Sequence, residues 1–456
     1  MRYVSTRGNA PVLGFSDVVL AGLATDGGLY VPEAWPTLGS TGNTSYAHLA
    51  AQVMTPFATD LDEDTLLRLC TEAYATFRHP DVVPIVPLEE GHQLMELFHG
   101  PTLAFKDVAL QFLGRLFDYI LGQRGERVTI VGATSGDTGS AAIDGVKNCD
   151  NVDIVILYPH GRVSEVQRRQ MTTVDSPNVH TVAIDGTFDD CQDLVKAMFN
   201  DLAFRDRHNL SAVNSINWAR VMAQVVYYVE ASRRISGPID ITVPTGNFGN
   251  VLSGWIAQQM GVPVRHLVVA SNSNDILTRF FRSHDMTVTG VHPTLSPSMD
   301  IQVSSNFERL LFEMNGRDGG MTREQLMRFR DKGSMAVESD QYEKWIAPTF
   351  RASSATDHDT LATMRQVFEE TGMQIDPHTA VGVKAAREFM EDGVPMITMA
   401  TAHPAKFPDA VERATGERPA LPAHLADLLE RPERTNRLAN DLAAVQQFVA
   451  SVTRTA

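Results

Sequence analysis

Six short apolar runs rich in β-branched residues constrain this chain more than any other feature. They are RVTIVGA (127–133), VDIVILYP (152–159), NVHTVAID (178–185), IDITVPT (239–245), RHLVVASN (265–272) and PMITMAT (395–401). Runs that are apolar at nearly every position, rather than at every second one, suit strands covered on both faces, as in parallel sheets. Between them lie helical patterns such as DLVKAMFNDLAF (193–204) and ARVMAQVVYYVEASRRI (219–235). Strand and helix alternating over this length predict an α/β fold, with parallel sheets flanked by helices.

At 456 residues the chain is too long for one ordinary core, so it should divide. Pro80, Pro84 and Pro87 forbid a helix near RHPDVVPIVPLEEG and suggest an extended crossing, which sets a first unit at 1–90. Gly237 and Pro238 in ISGPID set a second border, giving units 91–236 and 237–456. GTFDDCQDLVK and NSNDILTRFF read as capped loop-to-helix entries, and 314–330 as an exposed loop followed by a polar helix. In the tail, Leu438, Leu442, Val445 and Val449 recur at helical spacing and predict one packed helical stripe.

The formal charge of −16 argues against a nucleic-acid or anionic-membrane footprint, but a few local cations or backbone amides could still hold an acidic substrate. There is no apolar stretch of about 18 residues, and the N-terminus lacks the pattern of a secretory signal. Cys70, Cys149 and Cys191 stand far apart, which suggests free thiols and a cytoplasmic location. The 14 histidines contain no HExxH pair; no metal is expected, and His378 and His403 read as hydrogen-bonded loop residues.

Chemistry concentrates in three places. RVTIVGA is followed by TSGDTGSAA and then a helical pattern; IDITVPT is followed by GNFGN and then another. Each puts small residues where helix amides are free to bind an anion. Neither carries the GK[ST] of a Walker loop or the spacing of a dinucleotide fingerprint. Glycines in such turns also serve tight backbone geometry and close packing, as Gly132, Gly136 and Gly139 could here. The third place is LFHGPTLAFKD (97–107), where Lys106 follows Phe105. Alone it reads as a solvated lysine on a helix opening near Pro101 or Thr102. Together, a lysine at a helix start, a Ser/Thr/Gly loop and a separate glycine-rich cradle are the parts needed to hold pyridoxal phosphate, the lysine bonding its aldehyde and loop amides its phosphate.

These motifs, with YVSTRG, GLATDGGLYVPE, ILYPHGRVSEVQ, NSINWAR and TAHPAKF in order along most of the chain, resemble the threonine synthases of bacteria and fungi. That family lies in the tryptophan-synthase-β-like, fold type II group of pyridoxal-phosphate enzymes. The resemblance implies two domains that sandwich the cofactor plus an N-terminal domain. It implies a lyase of threonine biosynthesis, acting at the last step, in which O-phospho-L-homoserine and water give L-threonine and phosphate.

Carried over residue by residue, it implies that Lys106 bonds the cofactor and then acts as base, and that Gly246, Asn247, Phe248, Gly249 and Asn250 hold the cofactor phosphate. Thr401 would face the pyridine nitrogen. Thr134, Ser135, Gly136, Asp137 and Thr138 would grip the substrate carboxylate. Many relatives in the group have asparagine where Asp137 stands, and an ionised aspartate could not donate that asparagine's bond to the cofactor 3′-oxygen. Arg162, Ser164 and Gln167, with Asn214, Ser215, Asn217 and Arg220, are candidates for the substrate phosphate. Burial beside Phe105 and Leu103 would favour a neutral Lys106 amine. Dehydratases and sulfhydrylases of the group have no counterpart to the YVSTRG...DGGLYVPE block. A silent binding protein would not be expected to keep both Lys106 and GNFGN.

Overall fold

All six apolar runs are strands in a computed structural model, which describes residues 1–212 and 214–454. They divide between two sheets. One has five strands in the order Asn436–Ala439, Val179–Asp185, Val152–Pro159, Val128–Ala133 and Leu210–Ser211, every neighbouring pair parallel. The other has six, in the order Phe350–Ser354, Val264–Ser271, Ile239–Pro244, Met396–Ala400, His92–Glu96 and Ile85–Glu89. Its pairs are parallel except the last, an antiparallel hairpin at the sheet edge. Edge placement lets Pro87 sit in a strand despite its missing N–H.

Strand pairing crosses both expected borders. His92–Glu96 pairs with Met396–Ala400, and the preceding strand follows it into the same sheet. The tail strand Asn436–Ala439 returns to the five-stranded sheet, where Leu438 stands opposite Ile184. Leu438 is thus on a strand and not on the predicted helical stripe. The helix is Leu442–Val452, and its buried residues are Val445 and Val449. The crossing near Gly237 and Pro238 does lie where the chain leaves the helix Trp218–Arg234 for the six-stranded sheet.

The N-terminal block does not have a core of its own. Tyr3, Phe15 and Phe57 belong to the same contiguous apolar cluster as Phe112 and Trp218. The Trp218 indole N–H donates to the Tyr3 hydroxyl at 3.1 Å. A buried ion pair, Arg7 with Glu308 at 2.8 Å, ties the same block to the far part of the chain. Removing one partner of such a pair costs about 3–5 kcal/mol, because the other charge is left buried alone.

The other entries are mixed. Thr187 closes a capping box on Phe188–Asn200, whereas Asp275 does not cap the backbone of Ile276–Ser283 and pairs with Arg279 instead. The segment 314–330 holds the end of Phe307–Met314 and most of the polar helix Gly319–Lys332. No helix among the described residues is long and apolar enough to cross a membrane.

Candidate active site

The helix carrying Lys106 runs from Lys106 to Arg124, opening later than expected. The chain before it cannot be helical: Leu103 has a φ of 64°, in the left-handed region, and Ala104 forms a bridge with Ala402. Phe105 N–H donates to Thr401 O at 2.9 Å, and His403 N–H to Leu103 O at 3.0 Å. The Asp107 carboxylate closes the turn from below by accepting from Thr102 N at 2.8 Å and Thr102 Oγ1 at 2.6 Å. These bonds stitch the lysine loop to the end of the Met396–Ala400 strand. They bring Lys106 and Thr401 to one cleft.

The cleft lies beyond the carboxyl ends of parallel strands from both sheets, where α/β folds place their ligands. Lys106 is 8% exposed, buried rather than on the solvent side of its helix. Its Nζ lies 3.1 Å from Asp137 Oδ2 and 4.9 Å from the centre of the Phe105 ring. Burial lowers its proton affinity, and the Lys406 and Arg220 charges push the same way against the pull of Asp137. Burial alone would make Asp137 a weak acid. Lys106, Lys406 and His378 overcome that and hold its carboxyl well below the usual range.

The GNFGN turn opens the helix Gly249–Gln259, with no side chain capping its N-terminus. Phe248 takes a φ of 62° and is held there by packing against Phe281, Phe307 and Phe350. A Cβ on Gly246 would meet Ser298 O at 2.7 Å, so the turn has no room for a larger residue. The Asn250 Oδ1 accepts from the Tyr227 and Tyr228 hydroxyls at 2.6 and 2.8 Å. Its Nδ2 is thereby turned away from them, and it is buried without a partner among the described residues. Arg220 Nε and Nη1 are likewise buried and unpartnered. Burial pulls that guanidinium down to about 10. Unpaired buried N–H groups of this kind are costly unless a ligand satisfies them.

Of the residues singled out from the sequence, Lys106, Asp137, Thr138, Ser215, Arg220 and Thr401 border this cleft, together with the whole of 246–250. The others stand behind it or away from it. Thr134 Oγ1 accepts from Gly136 N and Gly139 N, shaping the loop from beneath. Gly136 has a φ of 144° and lies against Gln167, while Ser135 is exposed. Gln167 donates to Asp137 Oδ1 at 2.8 Å. Ser164 caps the helix Glu165–Thr172, and Arg162 is exposed. Asn217 caps Trp218–Arg234 and donates to Val19 O, and Asn214 accepts from Ile216 N.

Three participants were not found by sequence reasoning. Ser298 Oγ donates to Asp137 Oδ2 at 3.0 Å. His378 is not a loop residue: it sits in the first turn of Pro377–Phe389, its Nδ1 2.7 Å from Asp376 Oδ2, and it borders the cleft. Lys406 is fully buried, 3.0 Å from Asp137 Oδ1. The signal for Lys406 was present in TAHPAKF, where it stands between Ala405 and Phe407. His403 does cap a short turn, accepting from Ala405 N, as a hydrogen-bonded loop histidine should.

Three family models match the chain, the last two overlapping: Threonine synthase N terminus over 2–74, Pyridoxal-phosphate dependent enzyme over 89–398, and Threonine synthase, C-terminal, over 379–449. The threonine synthase of Pseudomonas aeruginosa is 53% identical, the match covering 99% of this chain and 98% of that one. The chain belongs to the threonine synthase family. A crystal structure of pyridoxal-phosphate-bound threonine synthase from Brucella melitensis, 51% identical, superposes with a TM-score of 0.98 over 100% of both chains. That of yeast threonine synthase, 37% identical, gives 0.94 over 99% of this chain and 98% of the other.

Threonine synthases are pyridoxal-phosphate enzymes, and the residues present fit that cofactor. The cleft offers a lysine amine of lowered proton affinity, an uncapped helix N-terminus behind a glycine turn, and unpartnered N–H groups on Arg220 and Asn250.

Proposed function

We propose that this chain converts O-phospho-L-homoserine and water to L-threonine and phosphate with pyridoxal phosphate, and does so in the cytoplasm. The observation that carries the reading is the meeting of the buried Lys106 amine with two separate anion-binding features in one cleft. These are the amides opening Gly249–Gln259 and the unpartnered Arg220 guanidinium. The cofactor and the substrate each bring a phosphate, and two sites are what such a pair requires. Three buried free thiols agree with a reducing compartment.

When bound, pyridoxal phosphate supplies an aldehyde for the substrate amine and a ring that accepts electrons from Cα and Cβ. The protein residues then have distinct tasks. Lys106 Nζ would hold the cofactor aldehyde and, as a free amine, would take the proton from the substrate Cα, which requires the neutral amine that burial favours. Gly246, Asn247, Phe248, Gly249 and Asn250 hold the cofactor phosphate. Thr401, a neutral hydroxyl bordering the cleft, would hold the ring nitrogen without the counter-charge by which a carboxylate would keep it protonated. Arg220 and Ser215 take the substrate phosphate, and Thr138 with the loop amides beside it takes the carboxylate. Removal of protons from Cα and then Cβ expels phosphate from Cγ; a proton is returned to Cγ, water adds its hydroxyl at Cβ, and a proton returned to Cα completes threonine.

Turnover of O-phospho-L-homoserine in oxygen-18 water tests the reading. Threonine should carry the label in its hydroxyl, and phosphate should gain none, because the original oxygen leaves with phosphorus. Label in phosphate, with homoserine released, would mean attack at phosphorus and sink the proposal. So would a keto acid and ammonia from serine or threonine as the main product, with O-phospho-L-homoserine untouched.

A further inference from the structure

Lys406 is a second buried lysine in this site, and the proposed reaction gives it no task. Its Nζ lies 2.7 Å from Thr102 O, 3.1 Å from Gln170 Oε1 and 3.0 Å from Asp137 Oδ1. Its ammonium donates to two fixed acceptors and pairs its charge with a third group, so three different segments anchor it. The side chain is fully buried and does not border the cleft. It can reach neither substrate nor cofactor. Whatever it does passes through Asp137.

Asp137 is two-sided. Its Oδ1 faces the protein interior, accepting from Gln167 and lying against Lys406. Its Oδ2 faces the cleft, accepting from Lys106 Nζ and Ser298 Oγ. When the Lys106 amine loses its charge, Asp137 keeps Lys406 as its lysine partner, with His378 nearby. A buried carboxylate left with no cation holds a proton, or prevents its neighbour from releasing one.

We propose that Lys406 is a positioning residue that supplies Asp137 with a permanent counter-charge, so that Lys106 can shed its proton without leaving a bare buried carboxylate. This deepens the threonine synthase reading above and rests on it. The other charged or titratable groups around Lys106 are Arg220 on the helix Trp218–Arg234, His378 at the start of Pro377–Phe389, and Asp107 on its own helix. Arg220 acts in the same direction as Lys406, as a second like charge near Lys106. Among the described residues Lys406 is the cation paired with Asp137 from the side away from the cleft, where the other partner, Gln167, is neutral. In its absence Lys106 and Asp137 form a one-to-one pair, and the upper titration step of that pair rises.

The test follows the pH midpoint of the cofactor's visible absorbance band in the holoenzyme, with kcat/KM for O-phospho-L-homoserine measured beside it. In Lys406→Met the midpoint and the acid limb of kcat/KM should both move to higher pH, by about one unit or more. Lys406→Arg, which keeps the charge, should stay near the wild-type midpoint. Asp137→Asn keeps Lys406 and keeps the site folded by a near-isosteric change, so it remains informative if Lys406→Met is unstable. It should move the midpoint to lower pH, since Lys106 then meets only like charges. An unmoved midpoint in Lys406→Met, or in Asp137→Asn, would overturn the proposal, whatever the loss of stability. A wild-type protein with no visible band would overturn the threonine synthase reading and this inference with it. A normal wild-type band with unmoved variants overturns this inference alone.

Discussion

Two lysines face one aspartate, and only one of them has a lone pair to offer. Lys406 donates to Thr102 and Gln170, pairs with Asp137 and lies behind the cleft, whereas among the described residues Lys106 Nζ bonds only to Asp137 and borders the cleft. Borohydride reduction of the holoenzyme followed by peptide mapping should therefore find the cofactor on Lys106 and none on Lys406. Label on Lys406 would reverse the two roles. Asp107 yields a second expectation. Burial pushes its carboxyl up from 3.8 to about 7, even though both of its oxygens accept from Thr102. The folded chain keeps that proton between pH 4 and 7 while the unfolded chain releases it, so this group's contribution to stability falls as pH rises through that window. Asp107→Asn mimics the protonated form. The stability of the variant relative to wild type should grow from pH 4 to 7, by on the order of 4 kcal/mol, and be flat above. A constant difference in thermal midpoint across that range would show that Asp107 is ionised throughout. Lys106 was singled out through the LAFKD motif and its combination with two distant glycine turns, while its burial was not legible from its neighbours. Lys406 was not, because its acceptors come from residues 102, 137 and 170, which no local pattern connects to it.

Among elements, the strands were the most legible part of the fold. Burial on both faces leaves a continuous apolar run, and each of the six runs became a strand. The exception is instructive: Leu438 stands at helical spacing from Leu442, yet it sits on a strand and Leu442 starts a helix. Spacing alone cannot detect a turn placed between two members of a stripe. Backbone strain was equally hidden, since Leu103 and Phe248 are not glycines and nothing in their neighbourhood announces a positive φ. At Phe248 the strain can be tested. The ring is wedged among Phe281, Phe307 and Phe350, and that packing holds the residue left-handed at the start of Gly249–Gln259. Phe248→Ala should cost about 3–5 kcal/mol and weaken cofactor retention, through the lost packing. Phe248→Gly leaves a similar cavity but adopts the backbone freely, so it should be more stable than the alanine variant by about 1 kcal/mol. Denaturant unfolding with the usual order, alanine above glycine, would mean that the turn relaxes and the strain is not maintained.

At the scale of the whole molecule, the chain closes each sheet with a segment distant in sequence. The hairpin 85–96 joins the six-stranded sheet, and residues 436–452 return to the five-stranded one. The expected borders missed this because composition marks where a chain crosses between units, not where it comes back. The returning tail covers the edge of Val179–Asp185, and Val445 and Val449 pack in the same apolar cluster as Cys191, Leu194 and Met198. Cys191 is fully buried there, and burial pushes its thiol up to about 12, so in the intact protein it should react with an alkylating reagent only through opening. In a chain ended at residue 435, that cluster loses its cover and the strand edge is bare. Cys191 should then alkylate rapidly, and amide exchange should rise along 179–185, with association between chains at the open edge. Cys70 and Cys149 lie in the cluster shared with the N-terminal block, which the deletion does not touch, and they should stay protected. Mass spectrometry of the alkylated peptides separates the outcomes. Equal labelling of all three thiols would mean that the whole chain unfolds as one unit. Continued protection of Cys191 would mean that the sheet beneath its own helix, through Val155, Val182 and Ile184, covers it without the tail, and that the long return is dispensable to the sheet it completes.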